Sequence, residues 1–304
     1  MAVTAQMVKE LREMTGAGMM DCKKVLVEAD GDMDKAVDLL REKGLAKAAK
    51  KAGRVAAEGL VKFAFSGDAK KAAIIEVNSE TDFVAKNDEF VGFVAKLADM
   101  ALETADDSLE NFMTLPYENE GTVQDALNNK IAKIGENMNV RRFHKMEEPG
   151  CVYVGYSHGG GKIGVIIGLE TEATAEEVAV VGKDVAMQVA SMNPQFVDES
   201  AISEEYLEHE KKILIQQALA EGKPADIVEK MVVGRLKKEL KETCLVEQKF
   251  VKNGDLSVRQ YVDEVGKTIG KSIKVVSMVR FEVGEGIEKK EEDFAAEVAA
   301  QLGN

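Results

Sequence analysis

The sequence predicts an α+β protein, and three observations carry that expectation. Two hairpin-like runs with period-two alternation are each followed by an apolar stripe at helical spacing. A stretch from Ser203 to about Leu245 is helical almost throughout, and residues 4 to 44 divide into three short amphipathic segments.

Taken in order, Thr4 caps a first helix whose Met7, Val8, Leu11 and Met14 share one face. Gly16 and Gly18 interrupt the chain, and a second helix runs from about Met20 to Ala29. Asp32 caps a third helix carrying Met33, Ala36, Val37 and Leu40, with Gly44 as its expected C-terminal stop. The run KGLAKAAKKAGR, Lys43 to Arg54, reads as a basic helical linker that is solvated rather than bound to nucleic acid, because one or two basic turns do not offset the net negative charge.

Leu60 to Phe65 then alternates, with Val61, Phe63 and Phe65 on one face; Ser66-Gly67-Asp68 turns, and Ala72 to Asn78 returns as an Ile-rich buried strand. Asn87 caps a helix with Phe90, Val94, Leu97 and Ala101 at helical spacing. The order recurs in Val152 to Tyr156, a loop from Ser157 to Gly161, a strand from Ile163 to Leu169, and a helix opened by a Thr174/Glu177 capping box with Val178, Val181, Val185 and Val189 as its stripe. Two related subdomains are expected rather than one large sheet.

The helical stretch after Ser203 is broken at Gly222-Lys223-Pro224, with Pro224 expected in the first turn of the second arm. Tyr206, Leu207, Ile213, Leu214 and Ala218 on one arm, and Val228, Val232, Leu236 and Leu240 on the other, form stripes narrow enough for a projecting antiparallel coiled-coil hairpin. A last alternating strand, Ile273 to Val283, leads through Gly284-Glu285-Gly286 to a short helix with Phe294, Val298 and Leu302 on one face.

Composition narrows the function. The 304 residues carry 40 Lys plus Arg against 54 Asp plus Glu, a net charge of −14, so the long-range field repels phosphate and argues against a general nucleic-acid binder. Cys22, Cys151 and Cys244 lie far apart and are odd in number, which fits a reducing compartment, and no signal-peptide core or membrane-length apolar run occurs; a cytoplasmic location is expected.

Catalytic patterns fail one by one. Gly266-Lys267-Thr268 and Gly270-Lys271-Ser272 resemble the end of a phosphate loop, but Tyr261 and Val265 stand where its upstream glycine belongs. Gly159-Gly160-Gly161-Lys162 is followed by Ile163 rather than a hydroxyl residue and reads as a flexible hairpin loop. His144, His158 and His209 lie on separate elements, and no cysteine pair has zinc spacing. Neither a metal nor a cofactor is expected, and the chain reads as non-enzymatic.

Oddly placed apolar residues remain. Phe83, in Glu80-Thr81-Asp82-Phe83-Val84, falls where turn residues belong; it is either a plug for its own core or an aromatic anchor displayed to a partner, with Asp82 as a charge beside it. Met19 and Met20 are adjacent at a helix start and cannot both face inward, which offers a pliable contact surface.

At these residues the chain resembles the bacterial elongation factor Ts family, the guanine-nucleotide exchange factors for elongation factor Tu. The resemblance rests on LREMTGAGMMDCKK (Leu11 to Lys24), KAAKKAGRVAAEG (Lys47 to Gly59), EVNSETDFVAKN (Glu76 to Asn87), AKIGENMNVRR (Ala132 to Arg142) and RFEVGEGIEKKEEDFAAEVAAQ (Arg280 to Gln301). It implies a three-helix ubiquitin-associated-like N-terminal domain with its basic linker (1–55), a core of two α+β subdomains with small antiparallel sheets (56–150, then 151–198 with 247–285), an antiparallel coiled-coil insertion (199–246) and a C-terminal helical module (286–304).

The resemblance also implies partner-binding residues. Thr81, Asp82, Phe83 and Val84 match a segment linked to displacement of Mg²⁺ from elongation factor Tu, with the phenylalanine entering a crevice of that partner's GTPase domain. Met19, Met20 and Lys23 match a second contact surface, Ile134 and Gly135 a third, and His158 a fourth. Phe250 and Val251 match a further segment, although Lys252 departs from it. The implied partner is elongation factor Tu, GDP-bound or nucleotide-free, with no nucleotide, membrane or sequence-specific nucleic acid bound directly. A ubiquitin-associated-like adaptor without exchange activity is the alternative.

Overall fold

The computed structural model describes residues 3–15, 17–222 and 224–288. Three helices open the chain: α1 (Ala5–Thr15), α2 (Met19–Glu28) and α3 (Met33–Lys51). Thr4 Oγ1 accepts from the Met7 amide and Asp32 from the Lys35 amide, so both expected caps form. Leu11, Cys22, Val25, Leu26 and Ala36 make a small core of their own.

Gly44 does not stop α3. The helix continues through the basic run to Lys51, and Gly44 sits where α3 passes a later helix, Val123–Ile134; a Cβ there would stand 3.8 Å from that of Ala132. Here glycine serves close helix approach rather than termination. The basic side chains are turned to internal partners: Lys43 pairs with Glu28, Lys47 with Asp21, and Arg54 with Glu80.

The body has four layers. Strands β1 (Glu58–Phe65), β2 (Ala72–Ser79) and β3 (Met138–Met146) form one antiparallel sheet in that order. Between β2 and β3 lie α4 (Asp82–Ala85), α5 (Asp88–Glu103), α6 (Leu109–Met113) and α7 (Val123–Ile134). The second sheet, also antiparallel, is β4 (Cys151–His158), β5 (Ile163–Thr171) and β8 (Ile273–Glu282), in the order β4-β5-β8. Its helices are α8 (Ala175–Met192) and α11 (Val258–Ile269), with α9 (Glu204–Ala220), α10 (Ala225–Thr243) and the two-stranded ribbon β6 (Lys249–Phe250) and β7 (Asn253–Ser257) between them.

Alternation along the strands explains the layering. Leu60, Ala64, Ile75 and Val77 pack with Phe90, Val94 and Leu97 of α5, whereas Val61, Ile74, Tyr153, Ile166 and Phe281 pack sheet against sheet. Both faces of β2 are therefore covered, which accounts for its nearly unbroken apolar run. Gly155 and Gly164 allow the sheets to approach: a Cβ on Gly164 would lie 2.4 Å from Val61 Cγ1. On the far side Val178, Val181, Val185 and Val189 of α8 pack on Val165, Ile167 and Leu169, and Thr174 and Glu177 form the expected capping box.

One charge is fully buried in this assembly. Glu76 has no exposed surface, and its carboxylate accepts from Arg141 Nη1 (3.0 Å), Arg142 Nε (2.6 Å), Asn78 Nδ2 (3.0 Å) and the Gly284 amide (2.8 Å). Consecutive arginines reach one carboxylate because the β2–β3 register slips at Glu76/Val77, a bulge that re-aims one of the two side chains. The cluster fastens the first sheet to the turn after β8.

Helices α9 and α10 form a hairpin closed by Leu214, Ala218, Val228 and Val232. Pro224 is not in the first turn of α10 but precedes it as the capping residue, where its fixed φ and missing N–H cost nothing. Phe196 anchors the hairpin base: its amide bonds to Thr243 O, its carbonyl accepts from Leu245, and its ring meets Tyr206 edge-on. The expected C-terminal helix with Phe294, Val298 and Leu302 lies outside the described residues. Among those described, no helix is long and apolar enough to cross a membrane.

Candidate functional site

The segment after β2 is built around a clamped turn. Ser79 Oγ donates to Thr81 O (3.0 Å), while Thr81 donates its amide (3.0 Å) and its hydroxyl (2.7 Å) to the two carboxylate oxygens of Glu136. Thr81 is extended (φ −125°, ψ 156°), and the single helical turn α4 follows. Val84 and Ala85 point into the first core, and Asn87 then caps α5 by accepting from Glu89 and Phe90. With Val84 and Ala85 inward, Phe83 lies on the opposite side of the turn and is 80% exposed.

The core-plug reading of Phe83 therefore fails, and within the four-residue segment it is Val84 that fills the core. Val84 is 7% exposed. Burying a phenylalanine is worth about 1.5–3 kcal/mol relative to leaving it in water, so the free chain forgoes that gain at Phe83. Asp82 stands beside it, its carboxylate 2.6 Å from Lys86 Nζ. The hydrogen bond from Lys86, helped by the positive charges of Lys86 and Lys162, holds that carboxyl below the usual range.

Ile134 and Gly135 are brought to the same place. Gly135 ends α7 in the left-handed conformation (φ 92°), and the residues after it, Glu136 and Asn137, are the ones that grip the turn. The Asn137 amide donates to Glu80, Asn137 Nδ2 donates to Arg54 O (2.7 Å), and Lys51 donates to Gly135 O. The end of α3 thus closes on both loops.

The second-half loop reaches the neighbouring strand. Val61 of β1 donates to Gly161 O (2.8 Å), and Gly159, Gly160 and Gly161 all take positive φ, so the glycine run is a defined turn held against β1. His158 is exposed at its start, with Nδ1 3.0 Å from Tyr156 Oη. Lys162, next in the loop, lies 3.6 Å from Glu58.

The remaining expectations divide. Met19 and Met20 are exposed (56% and 64%) on the first turn of α2, and Lys23 is exposed one turn on. Phe250 corrects the sequence reading: it is 3% exposed and stacks on Tyr261 at 4.1 Å, a core residue of the second half. Tyr261 in turn donates its hydroxyl to Asp184 (2.7 Å). Val251 remains exposed. Among the described residues no group of three or more His, Cys, Asp or Glu could hold a metal ion.

Sequence reasoning missed Glu136, Glu80 and the Glu76–Arg141–Arg142 cluster. Glu76 carried a usable signal, a lone carboxylate inside AAIIEVN; Glu136 carried none, because its partner is 55 residues away.

The family model described as Elongation factor TS matches residues 80–285, the span that holds Thr81, Glu136, His158 and Gly284. The chain is 61% identical over 300 residues to "Elongation factor Ts" of Clostridioides difficile (strain 630), with 99% of each chain covered. It is 55% identical over 302 residues to the protein of that name from Clostridium tetani (strain Massachusetts / E88), and 54% over 301 residues to that from Clostridium perfringens (strain SM101 / Type A), again with 99% of each covered. This agreement along nearly the whole length places the chain in the elongation factor Ts family.

Proposed function

We propose that this chain binds elongation factor Tu carrying GDP and promotes release of GDP and its exchange for GTP. The observation that carries the proposal is Phe83, an aromatic side chain 80% exposed on a turn fixed from both sides. A rigid exposed ring loses little conformational freedom on entering a partner's crevice, which favours its use as an anchor. In this reading Phe83 inserts into the GTPase domain, Asp82 lies beside it, and the ring's entry disturbs the surroundings of the bound Mg²⁺. Weakened Mg²⁺ coordination leaves the diphosphate's charge poorly compensated, so GDP leaves faster.

The energetics are those of linkage. A factor that binds the nucleotide-free partner better than the GDP form lowers GDP affinity by the same factor, and nucleotide in turn expels the factor. No covalent step is needed. Met19, Met20 and Lys23 on the helical N-terminal unit, Ile134 and Gly135 beside the turn, His158 on the second-half loop, and Val251 supply the other contacts. The division into a ubiquitin-associated-like unit (1–55), two core subdomains, a coiled-coil insertion (199–246) and a C-terminal module (286–304) belongs to the same proposal.

Gel filtration of the chain with elongation factor Tu tests the reading. A complex that forms without nucleotide and dissociates on adding GDP supports it; a complex indifferent to GDP favours an adaptor without exchange activity.

A further inference from the structure

We propose that Glu136 is a positioning residue that sets the direction of Phe83 by holding Thr81, an inference that rests on the exchange reading above. Thr81 stands in the capping position of α4, yet its hydroxyl makes no capping bond within that turn. It is spent instead on Glu136, which takes both the Thr81 amide and the Thr81 hydroxyl, one on each carboxylate oxygen. A bidentate pair of this kind fixes orientation as well as distance. The reciprocal bond runs the other way across the same gap, from the Asn137 amide to Glu80. Two loops that are more than fifty residues apart in the chain are therefore cross-tied by two carboxylates, and Phe83 is the second residue after the tie.

The tie also extends to the N-terminal helices. Arg54 pairs with Glu80, its carbonyl accepts from Asn137, and Lys51 donates to Gly135 O, so the end of α3 is fastened to both sides of the clamp. Thr81 is thus an anchor inside the protein rather than a contact on the partner. The other ties on the turn are fewer: the Ser79 hydroxyl bonds to Thr81 O, and of the one-turn helix α4 Val84 and Ala85 are buried. Without Glu136 the Thr81 amide and hydroxyl lose their acceptor and the bond from Ser79 Oγ to Thr81 O is the side-chain tie left at that residue, and a displacement of about 1 Å at a reacting or inserting group can cost on the order of 100-fold in rate.

Two readouts test this. The first is the acceleration of GDP release from elongation factor Tu by the native chain, Glu136→Ala, Phe83→Ala, the double variant and Glu136→Gln, measured across factor concentrations. Glu136→Ala should lose about 10-fold to 100-fold of the maximal rate, with a smaller change in half-saturating concentration. The double variant should be no worse than Phe83→Ala alone, and Glu136→Gln, which keeps one acceptor oxygen, should regain part of the loss. The second readout needs no partner: chymotrypsin cleavage after Phe83 should quicken in Glu136→Ala while cleavage at the other sites keeps its native rate.

Multiplying losses in the double variant, or full activity in Glu136→Ala, would overturn the positioning role. So would cleavage that rises at every site together, which marks general destabilisation, or that rises nowhere. If the native chain itself fails to accelerate release, the exchange reading falls, and the cleavage pattern still decides whether Glu136 holds the turn.

Discussion

The two halves of the body open alike, with two antiparallel strands and a helix, and differ at the connection from the second strand to that helix. In the second half β5 runs almost directly into α8: Thr171 Oγ1 donates to Ser272 O, Ala173 is buried, and the Thr174/Glu177 box starts the helix. In the first half the equivalent junction between β2 and α5 holds the extra turn α4, and Phe83 stands out from it. The difference teaches that the candidate function resides in an elaborated connection on an ordinary scaffold, where backbone geometry can be set without disturbing the sheet.

If that contrast is right, neighbouring aromatics in the first half should behave in opposite ways. Phe90→Ala, which empties a fully buried site at the start of α5, should cost about 3–5 kcal/mol in urea unfolding. Glu76 is next: Glu76→Ala leaves Arg141, Arg142 and the Gly284 amide without their acceptor and should cost about 3 kcal/mol. The plain junction of the second half supplies a control. Thr174→Ala removes one member of the capping box and should cost about 1 kcal/mol, leaving GDP exchange unchanged. Phe83→Ala should shift unfolding by less than about 0.5 kcal/mol, because the ring is already in water. A stability loss at Phe83 as large as that at Phe90 would erase the distinction between displayed and packed aromatics.

A smaller effect concerns how the N-terminal helices sit on the first half. The hydrogen bond from Arg41 on α3 brings the carboxyl of Asp125 on α7 down to about 2 from 3.8. A folded value below the unfolded one means that the contact's contribution is fully present above about 3.8 and is lost as pH falls toward about 2. Urea midpoints measured through that window should fall less steeply in Arg41→Ala than in the native chain. Equal slopes would remove Asp125 from the account of how α3 is held.

How much of this was legible depends on the range of the interaction. Local signals read well: the Asp32, Asn87 and Thr174 caps, the α5 and α8 stripes and the β1–β2 hairpin depend on residues a few positions apart. Strand β3 escaped because MNVRRFHKM has no apolar run, and its pairing with β2 spans α4 to α7. Helices α7 and α11 went unread although each carries a full apolar stripe, Val123, Ala126, Leu127 and Ile131 on α7 and Val258, Tyr261, Val262, Val265 and Ile269 on α11. Gly44 misled because a glycine that ends a helix and one that admits a neighbouring helix look alike in sequence. At the candidate site the exposure of Met19 and Met20 was legible only in part, because adjacency argues for one of a pair outside whereas both are exposed, and the adjacent Val25 and Leu26 of the same helix are both buried. Phe83 and Phe250 were not: one follows a strand and the other ends the two-residue strand β6, and the exposure of the first and burial of the second follow from Val84 turning inward and from the stack on Tyr261.

The most direct test of the central claim is the rate at which labelled GDP leaves elongation factor Tu, with excess unlabelled nucleotide and Mg²⁺ present, after addition of the native chain or Phe83→Ala. The account predicts faster release with the native chain and loss of most of that acceleration in a variant whose melting curve overlays the native one. Equal acceleration by both proteins would contradict the placement of the lever at Phe83, and no acceleration by the native chain would contradict exchange itself.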